Sequence, residues 1–220
     1  MFNSYKKFTL RFAKNSLLCT AFAALGLLGL AFAAHAADEA PDEFIKRLST
    51  ELQDMVKNDP SLKAGDLQKT SAVVDTKVMP HLNFIRMTAS AVGPAWRTAT
   101  PEQQAKLSNE FKTLLVRTYA GALYQVTDIS INVKPLRGSA DEKEVLVRSE
   151  IKGKGEPIEL DYRLEKTPGD GSGWKIYNLN VLGVWLVETY RSQFSQEINA
   201  KGLDGLIATL VERNKSNNKK

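Results

Sequence analysis

The chain has 220 residues, 30 Lys plus Arg against 25 Asp plus Glu, a formal net charge of +5, and 43% hydrophobic residues. That is enough apolar material for one domain or two small ones, and it excludes a disordered chain. One cysteine cannot close an intramolecular disulfide or build a cysteine-rich metal site, and two histidines leave little for histidine chemistry.

Residues 1–15 carry Lys6, Lys7, Arg11 and Lys14 and no acid; Ser16 to Phe32 is an uncharged run rich in Leu and Ala. Ala34-His35-Ala36 has the small-x-small pattern of a cleavage site, and Asp38 and Glu39 follow. Together these are a secretory signal peptide over 1–36, cleaved after Ala36. The alternative is an uncleaved anchor, for which the apolar run is at the short edge. Cys19 follows Leu18 and sits too early for lipid attachment, and Lys6-Lys7 is not a twin arginine. Removing 1–36 takes four bases and no acid, so the net charge falls from +5 to +1. A nucleic-acid partner then has no electrostatic footing. The exported chain keeps His81 alone and no cysteine. Its stability must come from its core.

From Ala37 the pattern reads helices, then strands, then helices. Pro41 with Asp42 and Glu43 opens a first helix, whose apolar stripe is Phe44, Ile45, Leu48, Leu52, Met55 and Val56. Asn58-Asp59-Pro60 stops it. A second helix is predicted over Asp66 to about Val78, ended by Pro80. A short third one holds Phe84, Ile85, Met87 and Val92 before Gly93-Pro94. Thr100-Pro101-Glu102-Gln103 is a capping box with Pro at the first helical position, and it opens a helix running to about Tyr124. The period then changes to two. Ile129, Ile131 and Val133 alternate with polar residues, as do Val145, Val147, Ser149 and Ile151, then Ile158, Leu160, Tyr162 and Leu164. Trp174 and Ile176 begin a fourth strand after a glycine-rich turn. Alternation predicts an antiparallel sheet buried on one face, hence the α+β class. Val184, Leu186, Val187, Tyr190, Phe194 and Ile198 predict another helix, Gly202 and Gly205 a break, and Leu203 to Val211 a last helix. Asn214 to Lys220 reads as a solvated tail, basic from 215 to 220. The domain is expected over 37–214.

The chain has no Gly-x-Ser-x-Gly, no P-loop and no His-Glu-x-x-His. Gly153-Lys154-Gly155 lies in a hairpin turn and opens no helix. His81 beside Pro80 reads as a helix-end or surface group, and Glu159, Asp161 and Glu165 as a solvated sheet face. The apolar sheet face carries no charge, and it suits either a solid core or a pocket for an apolar ligand. Both demand the same residues.

Specific segments add a resemblance. Trp96-Arg97-Thr98-Ala99-Thr100-Pro101-Glu102-Gln103, then Phe111 and Leu114-Leu115-Val116-Arg117-Thr118-Tyr119-Ala120, resemble the MlaC family, the periplasmic phospholipid-binding or toluene-tolerance proteins. Asp161-Tyr162-Arg163-Leu164, Trp174-Lys175-Ile176-Tyr177, Tyr190-Arg191-Ser192-Gln193-Phe194 and Gly202-Leu203-Asp204-Gly205-Leu206-Ile207 continue it in order. The resemblance implies a small curved antiparallel sheet wrapped by helices, similar to nuclear transport factor 2, with an internal apolar cavity. It implies a non-enzymatic periplasmic carrier, here taken as a monomer with phospholipid as cargo and no cofactor or metal. Its implied partners are an inner-membrane ABC transporter complex with an MCE-domain protein and the outer-membrane lipoprotein MlaA with a porin, and its role is to maintain outer-membrane lipid asymmetry. The other readings are an exported protein-interaction domain with a solid core, and a hydrolase using His81 or a carboxylate pair.

Periodicity and the family-like segments together nominate Met87, Leu115, Tyr119, Leu123, Val147, Leu160, Tyr162, Ile176, Val184 and Trp185 as lipid-binding. The resemblance implies a small polar residue after Gly183-Val184, where this chain has Trp185, and the bulky indole bears on cavity size. Arg97 and Arg191 are read as buried ion pairs or caps ahead of headgroup contacts. A cavity predicts that Val147→Glu and Leu160→Glu both fold without lipid. N-terminal sequencing of the protein from the periplasm should begin near Ala37; recovery only in membranes with residues 1–36 attached would refute the signal peptide.

Overall fold

The computed structural model describes residues 39–123, 129–139, 141–153 and 156–216, without the side chains of 120–123. The expected signal peptide, Tyr124, the Lys154-Gly155 pair and residues 217–220 lie outside that set. Asp38–Lys220 forms one compact unit.

Helix α1 spans Pro41–Asn58 and buries Phe44, Ile45, Leu48 and Val56 along one stripe. Asp59 ends it and caps a single turn, α2 (Pro60–Lys63), by accepting from the Ser61 and Leu62 amides at 2.9 and 3.3 Å. The sequence reading passed over that turn. Asp66 caps α3 (Leu67–Val73) in the same way. The chain continues through a π-helical turn at Val74–Val78 and a 3-10 turn at Met79–His81, where Pro80 cannot extend a ladder. Asn83 caps α4 (Phe84–Val92), in which Ile85 is exposed rather than in the core. A 3-10 turn over Gly93–Thr98 leads to α5 (Pro101–Leu123). The expected capping box is present: Gln103 N donates to Thr100 Oγ1 at 3.2 Å, and Thr100 N to Gln103 Oε1 at 3.0 Å.

Five antiparallel strands follow in the order of the chain: β1 (Ser130–Val133), β2 (Glu144–Lys152), β3 (Ile158–Lys166), β4 (Trp174–Val181) and β5 (Val184–Trp185). The α+β class and the antiparallel sheet read from the alternation, and the curved sheet that the resemblance implies, are therefore observed. One irregularity shapes the sheet. Leu164 pairs with Ile176 but Arg163 pairs with Asn178, so Tyr177 is the extra residue of a bulge. Ile176 and Leu179, three apart, consequently face the same side. Val184 and Trp185 form β5 instead of opening the last helix, and the two-residue turn before them holds Leu182 at φ 52.

Helix α6 (Leu186–Ser216) bends at Gly202, which stands at φ 72 and ψ −174. A Cβ on Gly205 would collide with Lys201 Cβ. The predicted break thus falls at Gly202 alone, with Gly205 needed for the close approach behind it. The expected solvated tail starts too early. Asn214 is buried, and its Nδ2 donates to Glu110 O and Oε2 at 3.0 and 2.8 Å. Its carbonyl accepts from Arg117, and the helix runs on through Lys215 and Ser216.

Two apolar clusters result. One joins α4, α5 and α6 around Phe111, whose ring lies edge-on to Tyr190 and Phe194 at 4.9 and 5.2 Å. The other joins α1 to the sheet through Phe44, Ile45, Leu48, Val145, Val147, Leu164, Trp174 and Ile176. Leu82 packs against both. Since the Gly202 conformation is close to glycine-only backbone, Gly202→Ala should cost about 1–3 kcal/mol. A urea midpoint unchanged from the parent protein would refute the bend.

Candidate functional site

The sheet has one apolar face and one polar face, fixed by register. Val147, Tyr162 and Leu179 stand opposite one another, as do Ser149, Leu160, Val181 and Val184. These make the inner face, on which α1 lies. Helix α1 is anchored at the Trp174 end, where Trp174 Nε1 donates to Glu39 O at 2.9 Å and the Leu136 amide to Asp42 Oδ2 at 3.0 Å. Its other half follows β1, where Gln53 Nε2 donates to Ile129 O at 2.6 Å. The far end of β3, β4 and β5 is left without that cover.

Burial records this directly. Along β3 the inner-face side chains go from Leu164 at 0% exposed, through Tyr162 at 8% and a half-buried Leu160, to Ile158 at 40%. Along β4, Trp174 and Ile176 are buried while Leu179 and Val181 are half-buried. Val184 is 52% exposed and Leu182, at the turn, 62%. An apolar face sealed at one end and partly exposed at the other is a surface that an apolar ligand can cover.

A neutral polar group marks the boundary. Ser149 Oγ donates to Leu160 O at 2.8 Å. The Tyr162 hydroxyl is hydrogen-bonded to Ser149 and Ser49, while burial pushes its pKa up. These groups are satisfied and uncharged at ordinary pH, so they do not oppose an apolar neighbour.

Of the ten nominated residues, Val147, Leu160, Tyr162 and Ile176 share the α1–sheet cluster, and Val184 lies on the same face at its open end. Met87 belongs to the helical cluster, with Leu115 packed against it. Tyr119 is exposed on α5, and Leu123 closes that helix with its side chain outside the described residues. Trp185 pairs with Asn180 and so stands on the opposite, polar face, where the Arg163 guanidinium lies 3.9 Å from its ring centroid. The ten are therefore not one cluster. The missed members of the open end are Leu179 and Val181, hidden by the bulge; Ile158 was on the apolar face but not among the ten.

The polar face is built from ion pairs. Arg86 lies 3.6 Å from the Tyr177 ring centroid and pairs with Glu144 at 2.7 Å and with Glu165. Arg163 pairs with Glu188 at 2.7 Å, and Asn178 donates to the same carboxylate at 2.7 Å. Burial opposes ionisation of Glu188, but these hydrogen bonds outweigh it and hold its pKa below the usual value. Arg97 and Arg191 are exposed and have no ion pair among the described residues, contrary to the buried pairs expected of them. His81 is half-buried, tilted against Phe44 at 5.4 Å; burial and then the Arg47 charge lower its pKa. Among the described residues no group of three or more His, Cys, Asp or Glu could hold a metal ion, and no helix is long and apolar enough to cross a membrane.

The burial gradient separates two substitutions that the alternating pattern treats alike. Val147→Glu puts a carboxylate into a site with no exposure and should cost several kcal/mol, enough to unfold the domain. Leu160→Glu places it where water reaches and should cost about 1–2 kcal/mol. Thermal melts of the two variants compare them directly, and equal melting temperatures would refute the gradient.

The family model described as MlaC protein matches residues 46–212. The chain is 24% identical over 163 residues, 73% of its length, to the intermembrane phospholipid transport system binding protein MlaC of Haemophilus influenzae, of which the match covers 72%. It is 31% identical over 109 residues to toluene tolerance protein ttg2D of Pseudomonas putida, a match spanning 49% of each chain. The structure resembles, with a TM-score of 0.77 and 43% identity, the phospholipid-binding protein of Ralstonia solanacearum solved in complex with a phospholipid, covering 81% of this chain and 98% of that one. The chain belongs to the MlaC family.

Proposed function

We propose that this chain is a periplasmic phospholipid carrier, and that acyl tails lie against the open end of the inner sheet face. The observation that carries the reading is the uncovered apolar face at Leu160, Leu179, Val181 and Val184. It is supported by the phospholipid bound to the 43% identical Ralstonia protein. Leu160 and Val184 are direct tail contacts, with Val147, Tyr162 and Ile176 as the wall behind them. A tail entering where the two clusters meet at Leu82 reaches Met87 and Leu115 on the helical side. The carrier moves phospholipid between an inner-membrane ABC transporter complex with an MCE-domain protein and the outer-membrane lipoprotein MlaA with a porin, and so serves outer-membrane lipid asymmetry. Binding alone accounts for that role, with no catalytic step and no cofactor.

The energetics suit a carrier. Removing two long tails from water is worth about 20 kcal/mol, near the ceiling of non-covalent affinity. A bilayer, however, already keeps tails dry. A surface about as apolar as the membrane interior therefore exchanges lipid near balance, and donor and acceptor set the direction.

Native mass spectrometry of the protein purified from the periplasm should show phospholipid bound to the parent chain and none on folded Leu160→Glu. A parent protein free of lipid, or a Leu160→Glu variant loaded like the parent, would overturn the proposal.

A further inference from the structure

The polar face of the sheet carries a groove of about 560 Å³, lined by Arg137, Glu142, Glu144, Leu146, Arg148 and Arg163 among others. A smaller recess of about 150 Å³ shares Arg137, Leu146 and Arg148 and adds Lys134. Leu146 and Arg148 face outward here because Val145 and Val147 face inward, and Leu146 pairs across the sheet with Arg163. The groove is thus set by the same alternation as the inner face, on the side turned away from it.

The charges in the groove are not balanced by its own walls. Glu144 is occupied: Arg86 lies at 2.7 Å, and the Tyr177 hydroxyl donates to it at 2.8 Å. Both hold its pKa below the usual value. Glu142 accepts from the Ser139 amide at 3.3 Å. Arg163 is held between Glu188 and Trp185. Among the described residues, Arg137 and Arg148 make no side-chain hydrogen bond or ion pair. Asp161, cross-strand from Arg148, is the acid that faces Arg148 and Lys134, and its pKa is raised, first by burial. Two arginines and a lysine therefore flank an apolar floor, with no carboxylate among the described residues at contact distance from them.

We propose that this groove docks an acidic segment of a protein partner, with its carboxylates on Arg137 and Arg148 and an apolar side chain on Leu146. Charge complementarity selects the occupant. An arginine fork binds a carboxylate in two parallel hydrogen bonds, and a fork with no partner already in place loses nothing to the exchange. Glu142 and Glu144, interspersed with the arginines along the groove, repel a continuous anionic surface and favour a chain that sets its acids beside the arginines and apolar side chains between them. The inference does not depend on the lipid reading, since the groove lies on the other side of the sheet.

The test uses the exported chain and a fluorescent peptide alternating Glu and Leu. Anisotropy at low ionic strength should show saturable binding that weakens as salt rises. The double variant Arg137→Ala/Arg148→Gln should bind about tenfold more weakly, while its thermal melt and its bound phospholipid match the parent. On the unmodified protein, the peptide should shift the backbone amide resonances of Leu146 and Arg148, which keeps the test independent of the variant's folding. No binding at low salt, equal binding by a folded variant, or shifts confined to other surfaces would overturn the proposal. Displacement of the peptide by phosphatidylglycerol vesicles would overturn it in favour of a membrane. Loss of lipid with peptide binding intact would instead count against the carrier reading alone.

Discussion

The bulge at Tyr177 decides which side of the sheet everything after it faces. Without it, Lys175, Tyr177, Leu179 and Val181 would share one side, and the apolar end of β4 would point into the ion pairs of Arg86 and Arg163. With it, Trp174, Ile176, Leu179 and Val181 all reach the inner face, while Asn178 and Asn180 turn to the outer one. Those two asparagines then build the exit from the sheet. Asn180 Oδ1 accepts from the Gly183 amide at 2.8 Å and fixes the turn into β5. Asn178 Oδ1 accepts from the Leu179 and Val187 amides at 2.9 and 3.2 Å, tying the start of α6 to the strand. One extra residue thus sets the apolar surface, the turn and the direction of the last helix.

Much of the fold could be read from period and punctuation. Asp59, Asp66 and the Thr100–Gln103 box mark helix ends because they satisfy backbone amides locally, and proline does so because it has no amide hydrogen to satisfy; such local chemistry is visible in sequence. The strands were visible because each alternates over several residues. What was not visible is what depends on a partner distant in the chain. The bulge is a mismatch between β3 and β4, and no window on either strand contains it. Val184-Trp185 is too short to show a period and joins smoothly to a helical stripe, so only its pairing with Asn180 and Val181 reveals a strand. Asn214 looked like tail because it is polar, yet Glu110 and Arg117, about a hundred residues earlier, bury it.

The candidate site divides on the same line. Val147, Leu160, Tyr162 and Ile176 fall on one face because alternation fixes a side. Alternation carries no information on how far along the strand the cover extends, so Val147 and Leu160 looked equivalent. The end of α1 makes them different: Val147 is shut into one cluster with Phe44, Ile45 and Leu48, and Leu160 is only half-buried at its edge. Trp185 was displaced for a related reason. Its side is set by its pairing with Asn180, and Asn180 was turned outward by the bulge. Arg163 then holds the indole between sheet and helix, so the residue that looked like a cavity wall stiffens the junction behind it.

The two faces also differ in how their forces depend on solvent. On the carrier reading, an apolar ligand at the inner end is held by exclusion of water, which is non-directional and insensitive to salt. Such a force does not select tail length or saturation, and the neutral Tyr162–Ser149–Ser49 cluster places no charge beside it. The outer face is held by guanidinium–carboxylate and guanidinium–aromatic contacts, which are directional and specific in register. A sheet is only one residue thick, so each strand contributes to both surfaces in alternation. Changing Arg148 leaves Val147 and Ser149 in place, and changing Leu160 leaves Asp161 and Arg163. The inner and outer surfaces can thus be altered independently while sharing every backbone hydrogen bond. The exception is β4 at the bulge, where Tyr177 and Asn178 face the same way and a substitution would disturb both sides at once.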